Sequence, residues 1–244
     1  MKTMKQGFGH AEMLVTPASN VQIVHSFEEL VNTPFSGEIN AFCWPRELVG
    51  DFAEVLRCLP DLPGINHVDV ETLPHLPVSA EGRHAVTQLL ADQQLLSDHG
   101  LLPSLDFVRG YLREEEPGPM RTDVYSWHVD SATVEADTYL CTYHGACSEG
   151  LPNHQASARM DIPETRSALL EFYGGADDEG FAEFLNDHCY DLHYVAKPNA
   201  TPYPFGIGNL WRIALVHDDS TVPPCIHRAP ATLHGDPPRL LLIS

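Results

Sequence analysis

The chain has 244 residues, of which 43% are hydrophobic, enough for one well-packed domain or a core with a substantial extension. Acidic side chains number 34 against 14 basic ones, and the net charge of −20 disfavours nucleic acid and anionic membrane surfaces as partners. No apolar run reaches membrane-spanning length and no signal-like segment follows the N-terminus, so the expected location is cytoplasmic.

Residues 1–103 predict a helical and irregular N-terminal extension that packs on the core. A short strand is expected at 21–24. Pro45 is expected to open a helix that runs from Arg46 to about Leu59, because apolar residues there recur at helical spacing. The clearest helix is predicted from Glu81 to Asp98. Both helices are expected to lie against the outside of a sheet.

Residues 104–244 predict a single strand-rich core. Short strands with turn signals between them favour a β-sandwich or barrel. The predicted strands are 104–113, 122–127, 137–144, 191–196, 210–216, 225–228 and 239–243. The stretch 145–161 is expected to be a loop. Helices at 163–172 and 179–188 are expected to form an insertion that acts as a lid or a substrate-selecting element. The predicted fold class is α+β, with a jelly-roll core and helices packed outside.

A candidate metal site begins at His128 and Asp130, at the end of the predicted strand 122–127. Side chains two positions apart lie on the same face of a strand, so these two can bind one divalent metal from one side. A second histidine would complete the 2-His-1-carboxylate set of non-haem Fe(II) enzymes, and His227 is the candidate. Arg239 follows His227 by twelve residues.

The chain contains further His-x-Asp pairs, which begin at His67, His217 and His234. Their context differs from that of His128. His217 is too close to His227 for strands to form between them, and His234 has only ten residues after it. The 96 residues between Asp130 and His227 are enough to build several strands and return.

This order of residues resembles the iron- and 2-oxoglutarate-dependent dioxygenase superfamily, whose fold is the double-stranded β-helix. The resemblance implies that His128, Asp130 and His227 bind Fe(II) and act in catalysis. It also implies that Arg239 holds the far carboxylate of 2-oxoglutarate and that Tyr143 assists cosubstrate binding. A guanidinium suits this task because its planar fork matches a carboxylate and keeps its charge.

The resemblance carries the reaction class but not the substrate. It implies an oxygenase that uses molecular oxygen, most commonly to hydroxylate a small molecule or an amino-acid or peptide side chain. Asn209 stands where the superfamily usually has Asp, and no Ser or Thr lies two residues after Arg239. The sequence leaves the oligomeric state open.

A second resemblance gives an alternative function. The runs 140–145, 151–153 and 227–230 are similar to an uncharacterised bacterial domain family that is often encoded near zinc-homeostasis genes. The same three ligands would then hold Zn in a non-oxidative, cupin-like, metal-handling protein. The spacing of Cys141, His144 and Cys147 is also typical of zinc ligands, although Cys141 is expected inside a strand and Cys147 in the loop that follows.

Overall fold

In the residues that the computed structural model describes (18–111, 118–232 and 235–244), thirteen β-strands form two curled, mostly antiparallel sheets. In chain order the strands are β1 (Val21–Ile23), β2 (Ala41–Trp44), β3 (Gly64–His67), β4 (Ser104–Arg109), β5 (Trp127–His128), β6 (Asp137–His144), β7 (Glu149–Leu151), β8 (Ala156–Ala158), β9 (His193–Ala196), β10 (Tyr203–Pro204), β11 (Leu210–Ala214), β12 (Ile226–Arg228) and β13 (Arg239–Ile243). The larger sheet has the order β1-β2-β11-β6-β13-β4-β3, and the smaller β10-β7-β12-β5-β9-β8. The α+β arrangement is compatible with a β-sandwich or jelly roll.

The described residues form five α-helices, most of which begin at a side-chain cap. The helices are α1 (Phe27–Asn32), α2 (Phe52–Cys58), α3 (Ala80–Asp98), α4 (Pro163–Tyr173) and α5 (Glu179–Asp187). Ser26, Asp51, Ser79 and Asp178 each accept a hydrogen bond from a first-turn amide of α1, α2, α3 and α5, respectively. In the described part of the chain, no helix combines the length and apolarity that crossing a membrane requires.

The N-terminal part of the chain covers the outer face of the larger sheet. Buried residues of α1, α2 and α3, among them Leu30, Phe52 and Leu89, share one apolar cluster with Tyr139 and Leu242 of the sheet. The same part of the chain also supplies β1, β2 and β3, so it belongs to the sheet as well as to the helical layer.

The predicted helix from Arg46 is wrong at its start, because residues 45–50 are irregular and α2 begins at Phe52. Two interactions hold this segment out of a helix. Arg46 is drawn into a buried ion pair with Asp92 of α3, at 2.6 Å. Gly50 has a φ of 115° where its backbone touches α3, a conformation that favours glycine.

Other boundaries agree with the sequence or differ for local reasons. The predicted strands 137–144 and 239–243 are confirmed as β6 and β13, and α3 begins one residue before its predicted start. Of the predicted strand 122–127, only Trp127 belongs to a strand, β5. The residues before it form a turn in which Ser126 donates hydrogen bonds to the Asp123 carbonyl. The predicted loop 145–161 contains β7 and β8, and part of the predicted strand and turn after Arg109 lies outside the described residues.

The Asp92 carboxylate is the centre of a buried polar network between α3 and β6. It accepts hydrogen bonds from Arg46 at 2.6 Å, from the Tyr143 hydroxyl at 2.6 Å and from Gln88 at 3.0 Å. Its side chain is only 4% exposed. Loss of one partner would leave a charge buried and unpaired.

We therefore expect Asp92→Ala to lower the free energy of unfolding by about 3–5 kcal/mol, because it leaves the Arg46 guanidinium without a counter-ion. Urea unfolding followed by circular dichroism measures this loss. The double variant Arg46→Met/Asp92→Leu should be more stable than Asp92→Ala alone, because it removes both charges. Equal stability of Asp92→Ala and the exposed control Asp98→Asn would contradict the assignment.

Candidate metal centre

Three predicted ligands meet at one end of the smaller sheet. His128 ends β5 and lies directly opposite His227 of β12, while Asp130 follows two residues after His128. One ligand atom from each lies within 4.8 Å of the others. The Asp130 Oδ1 atom is 4.0 Å from His128 Nε2 and 3.7 Å from His227 Nε2. These three side chains are within reach of a single ion.

Hydrogen bonds orient each ligand toward the same point. The Nδ1 atom of His128 lies 2.8 Å from the Ser126 carbonyl oxygen, and that of His227 lies 3.2 Å from the Cys225 carbonyl oxygen. A carbonyl only accepts, so each Nδ1 atom carries a proton, and in the neutral form of each ring the Nε2 lone pair is free to bind a metal.

The carboxylate ligand is oriented from the other sheet. The Thr138 hydroxyl of β6 donates to Asp130 Oδ2 at 2.7 Å. That bond leaves Oδ1 to face the two histidines. Both sheets therefore contribute to the geometry of this centre.

The pKa values of His128 and Asp130 are shifted in the directions that metal binding requires. Burial, followed by the neighbouring His227, lowers the pKa of His128 to about 4, so its ring is neutral near pH 7. Burial alone would raise the pKa of Asp130, but His227, the Thr138 hydroxyl and His128 outweigh it and the pKa is lowered. A neutral imidazole and a charged carboxylate can bind a cation without first losing protons.

A cavity of about 220 Å³ opens beside the ligands, between the two sheets. Apolar side chains of β4, β6 and β13 form much of its wall, including Val108, Leu140 and Leu241. No described lining residue comes from α4 or α5, which form a separate apolar cluster with Met120 and Tyr190. The predicted lid role of the helical insertion therefore finds no support in the cavity's lining.

Arg239 lies on the inner face of β13 and is only 1% exposed. Its guanidinium donates to the Tyr111 hydroxyl at 2.6 Å and to the Ser148 hydroxyl at 3.0 Å, and both partners line the cavity. Its Nε atom is buried without a partner, and no carboxylate among the described residues pairs with it. Burial lowers the pKa of Arg239. A buried cation without a counter-ion is a binding group for an anion.

Two other arginines of the strands, Arg212 of β11 and Arg228 of β12, are already paired with carboxylates. Arg212 forms an ion pair with Asp137 at 2.7 Å and donates to the carbonyl oxygens of Leu30 and Thr33 at the C-terminal end of α1. Arg228 pairs with Glu149 at 2.7 Å and lies over the Trp127 ring, on the face of β12 opposite to His227. Unlike Arg239, neither of them donates a hydrogen bond to a residue that lines the cavity.

The structure does not place Tyr143 beside the metal ligands. Thr138 and Leu140 of β6 face the cavity, so the alternation of the strand sends Tyr143 to the outer face. There it stacks on Phe52 and donates to Asp92. The predicted cosubstrate contact is therefore corrected to a packing role, and Tyr111 and Ser148 take the places next to Arg239.

Three residues of the site were not predicted from the sequence, and only one of them could have been found from a local sequence pattern. Thr138 lies on the predicted strand 137–144, on the face opposite to Tyr143, so alternation alone could have identified it. Tyr111 and Ser148 contact Arg239 from distant segments, and nothing in their local sequence indicates this.

No protein-family model, curated protein or solved structure matches the chain. Within the described ranges, His128, Asp130 and His227 form the only cluster of His, Cys, Asp or Glu suited to a metal. The spacing of Cys141, His144 and Cys147 produces no such cluster. Cys141 is buried on the outer face of β6, where Arg46 donates to its sulfur.

His227→Ala and Asp130→Ala should each abolish stoichiometric binding of Fe(II) or Zn(II), because two remaining ligands hold a divalent ion weakly. Anaerobic calorimetric titration measures the stoichiometry. The control His84→Ala removes an exposed histidine of α3 and should retain one site. If both ligand variants bind metal as the wild type does, this centre is not the metal site.

Thr138→Val should preserve shape but weaken metal affinity by roughly 10-fold or more, since the carboxylate loses the hydroxyl that orients it. Competition with a coloured chelator gives the dissociation constant. Thr87→Val is the matched control, because the Thr87 hydroxyl bonds only within the exposed face of α3. An unchanged constant for Thr138→Val would show that this hydrogen bond does not orient the ligand.

Proposed function

We propose that the protein is a non-haem Fe(II)- and 2-oxoglutarate-dependent oxygenase on a double-stranded β-helix core, which hydroxylates a small molecule or an amino-acid or peptide side chain. One observation carries this proposal. The buried guanidinium of Arg239 has no carboxylate partner and donates hydrogen bonds to two hydroxyls of the cavity lining. The same cavity is lined by a cluster of two histidines and one carboxylate. The first arrangement suits an organic anion and the second suits iron.

The donor set fits Fe(II). Two imidazoles and one carboxylate would occupy one side of the ion and leave the remaining positions open. When bound, iron with 2-oxoglutarate supplies oxidative chemistry in which one atom of O₂ enters succinate, with loss of CO₂, and the other enters a substrate C–H bond. His128, Asp130 and His227 would hold the ion, and Thr138 would keep Asp130 in place.

The remaining residues bind the anion and exclude water. Arg239 would bind the far carboxylate of 2-oxoglutarate through its two terminal nitrogens. The hydroxyls of Tyr111 and Ser148 would donate to the same carboxylate. The low polarity around Arg239 strengthens that attraction compared with water. Val108, Leu140 and Leu241 give the cavity a dry wall against which a substrate can be oriented.

The alternative function is a non-oxidative zinc protein that uses the same three ligands. Two histidines and a carboxylate also suit zinc with an open position, so the ligands alone do not discriminate. Arg239 does discriminate, because a metal-handling module has no use for a buried anion-binding group that costs stability.

Anaerobic addition of Fe(II) and then 2-oxoglutarate to the purified protein should produce a weak visible charge-transfer band that needs both additions. Arg239→Met should bind Fe(II) with near wild-type affinity but require at least about 10-fold more 2-oxoglutarate, because a charged hydrogen-bonded pair is lost. A band that never appears after both additions would refute the oxygenase, and zinc binding would then be tested.

The stability of Arg239→Met is an internal control for this experiment. Since the arginine has no counter-ion in the absence of ligand, its replacement by an apolar side chain of similar length should leave the melting temperature equal or higher. A strong fall in melting temperature would indicate that Arg239 is a packing element and not a binding group.

A further inference from the structure

Asp106 is an acidic residue of the cavity lining that is not one of the three candidate metal ligands. It lies on the inner face of β4, directly opposite Leu241, and Val108 two residues later lies opposite Arg239. Alternate residues of a strand share a face, so Asp106 and Arg239 lie on the same face of the larger sheet. Asp106 pairs with Leu241, two residues along β13 from Arg239, so the two positions are about 7 Å apart along the strand direction.

The Asp106 carboxylate is only partly satisfied by the protein. Its Oδ1 atom accepts from the Ser104 hydroxyl at 2.7 Å and lies 3.5 Å from His67 Nδ1. Its Oδ2 atom has no hydrogen-bond partner among the described residues, and the side chain is 15% exposed. A carboxylate that is largely removed from water and has one open oxygen favours a cationic donor.

The surroundings of Asp106 are suited to a hydrocarbon chain. In the described lining, Asp130 is the other acidic residue, and it is a metal ligand. Val108, Leu241 and Ile243 lie around Asp106, and Ile65, which is 58% exposed, reaches the mouth of the cavity. An aliphatic stem that packs on these residues could place a terminal cation on Asp106, as long basic side chains do on protein surfaces.

We infer that the substrate carries an aliphatic chain ending in an amine or guanidinium, and that Asp106 is the residue that selects it. This inference rests on the oxygenase function proposed above. Arg239, behind the lining residues Tyr111 and Ser148, would then bind the anionic cosubstrate, and Asp106 would bind the cationic substrate. The net charge of −20 also raises the local concentration of cations.

The cation can belong to a free molecule or to a peptide. The edge strand β3 makes a peptide feasible. The Val68 amide donates to the Leu105 carbonyl, so by the alternation of an antiparallel ladder the backbone groups of Ile65 and His67 face the free edge. An extended peptide could pair there and send a side chain over β4. Both sources share the chemistry that Asp106 would recognise.

The test uses the Fe(II)-loaded full-length protein and two matched probe pairs. The free pair is N-acetyl-lysine amide and N-acetyl-norleucine amide, and the peptide pair is one extended heptapeptide with lysine or norleucine at its centre. Norleucine keeps the stem and lacks the amine. Binding is measured by calorimetry without oxygen, and 2-oxoglutarate consumption is measured with oxygen.

For at least one pair, we expect the wild type to bind the lysine probe roughly 10- to 100-fold more tightly than the norleucine probe. In Asp106→Asn this preference should fall to within about 2-fold. Asp98→Asn removes the same charge from the exposed end of α3 and should keep the preference. A preference in the free pair or only in the peptide pair supports the inference and identifies the source of the cation.

Failure of the inference and failure of the proposed function give different results. If the charge-transfer band forms but the wild type shows no lysine preference, or Asp106→Asn retains it, the inference is overturned and the oxygenase stands. If the band does not form, the oxygenase fails, and the binding measurement still decides whether Asp106 selects a cation. Asp106→Leu, which keeps the branching at Cγ but has no polar atoms, repeats the comparison if Asp106→Asn does not fold.

Discussion

The hydrogen bond from Thr138 to Asp130 joins the two sheets at the point where the chemistry is expected. Thr138 belongs to the larger sheet and Asp130 follows a strand of the smaller one. Asp130 in turn lies between the imidazoles of His128 and His227, which oppose each other across two neighbouring strands. The metal centre therefore depends on how the sheets stack, and a small slip between them would turn the carboxylate away from the histidines.

Two buried arginines show how differently this fold treats the same side chain. Arg46 lies against Asp92, and this partner raises the arginine's pKa even though burial lowers it. Arg239 is more deeply buried and has only neutral hydroxyls as partners, and its pKa is lowered. The first guanidinium is part of the scaffold. The second is a buried charge without a counter-ion, which lowers stability, and a bound anion would neutralise it. Such a loss of stability is typical of binding sites.

The sequence predicted those parts of the site that depend on spacing along the chain. The alternation of strands places His128 with Asp130, and the length of the intervening chain allows His227 to return beside them. Arg239 was predicted at the start of its strand. Tyr143 was placed on the correct strand, but the inner face of that strand belongs to Thr138 and Leu140.

The remaining features depend on contacts between distant segments. The contacts of Tyr111 and Ser148 with Arg239 are fixed only when the two sheets close, so no local pattern encodes them. The same reason explains why the helix predicted from Arg46 begins only at Phe52: the ion pair between Arg46 and Asp92 of α3 overrides the helical spacing of the apolar residues. Local propensity thus gave the element types, while tertiary contacts decided their ends.

The pairing of β5 with β12 has a consequence for how the protein matures. His128 and His227 face each other, yet 96 residues separate Asp130 from His227. The strands from β6 to β11 and the helices α4 and α5 all lie within that interval. Contacts of such large sequence separation form late in folding, because the closure entropy must first be offset by other contacts. A metal ion would therefore encounter a complete site instead of guiding the chain to it, and the order of events would be folding first and loading second.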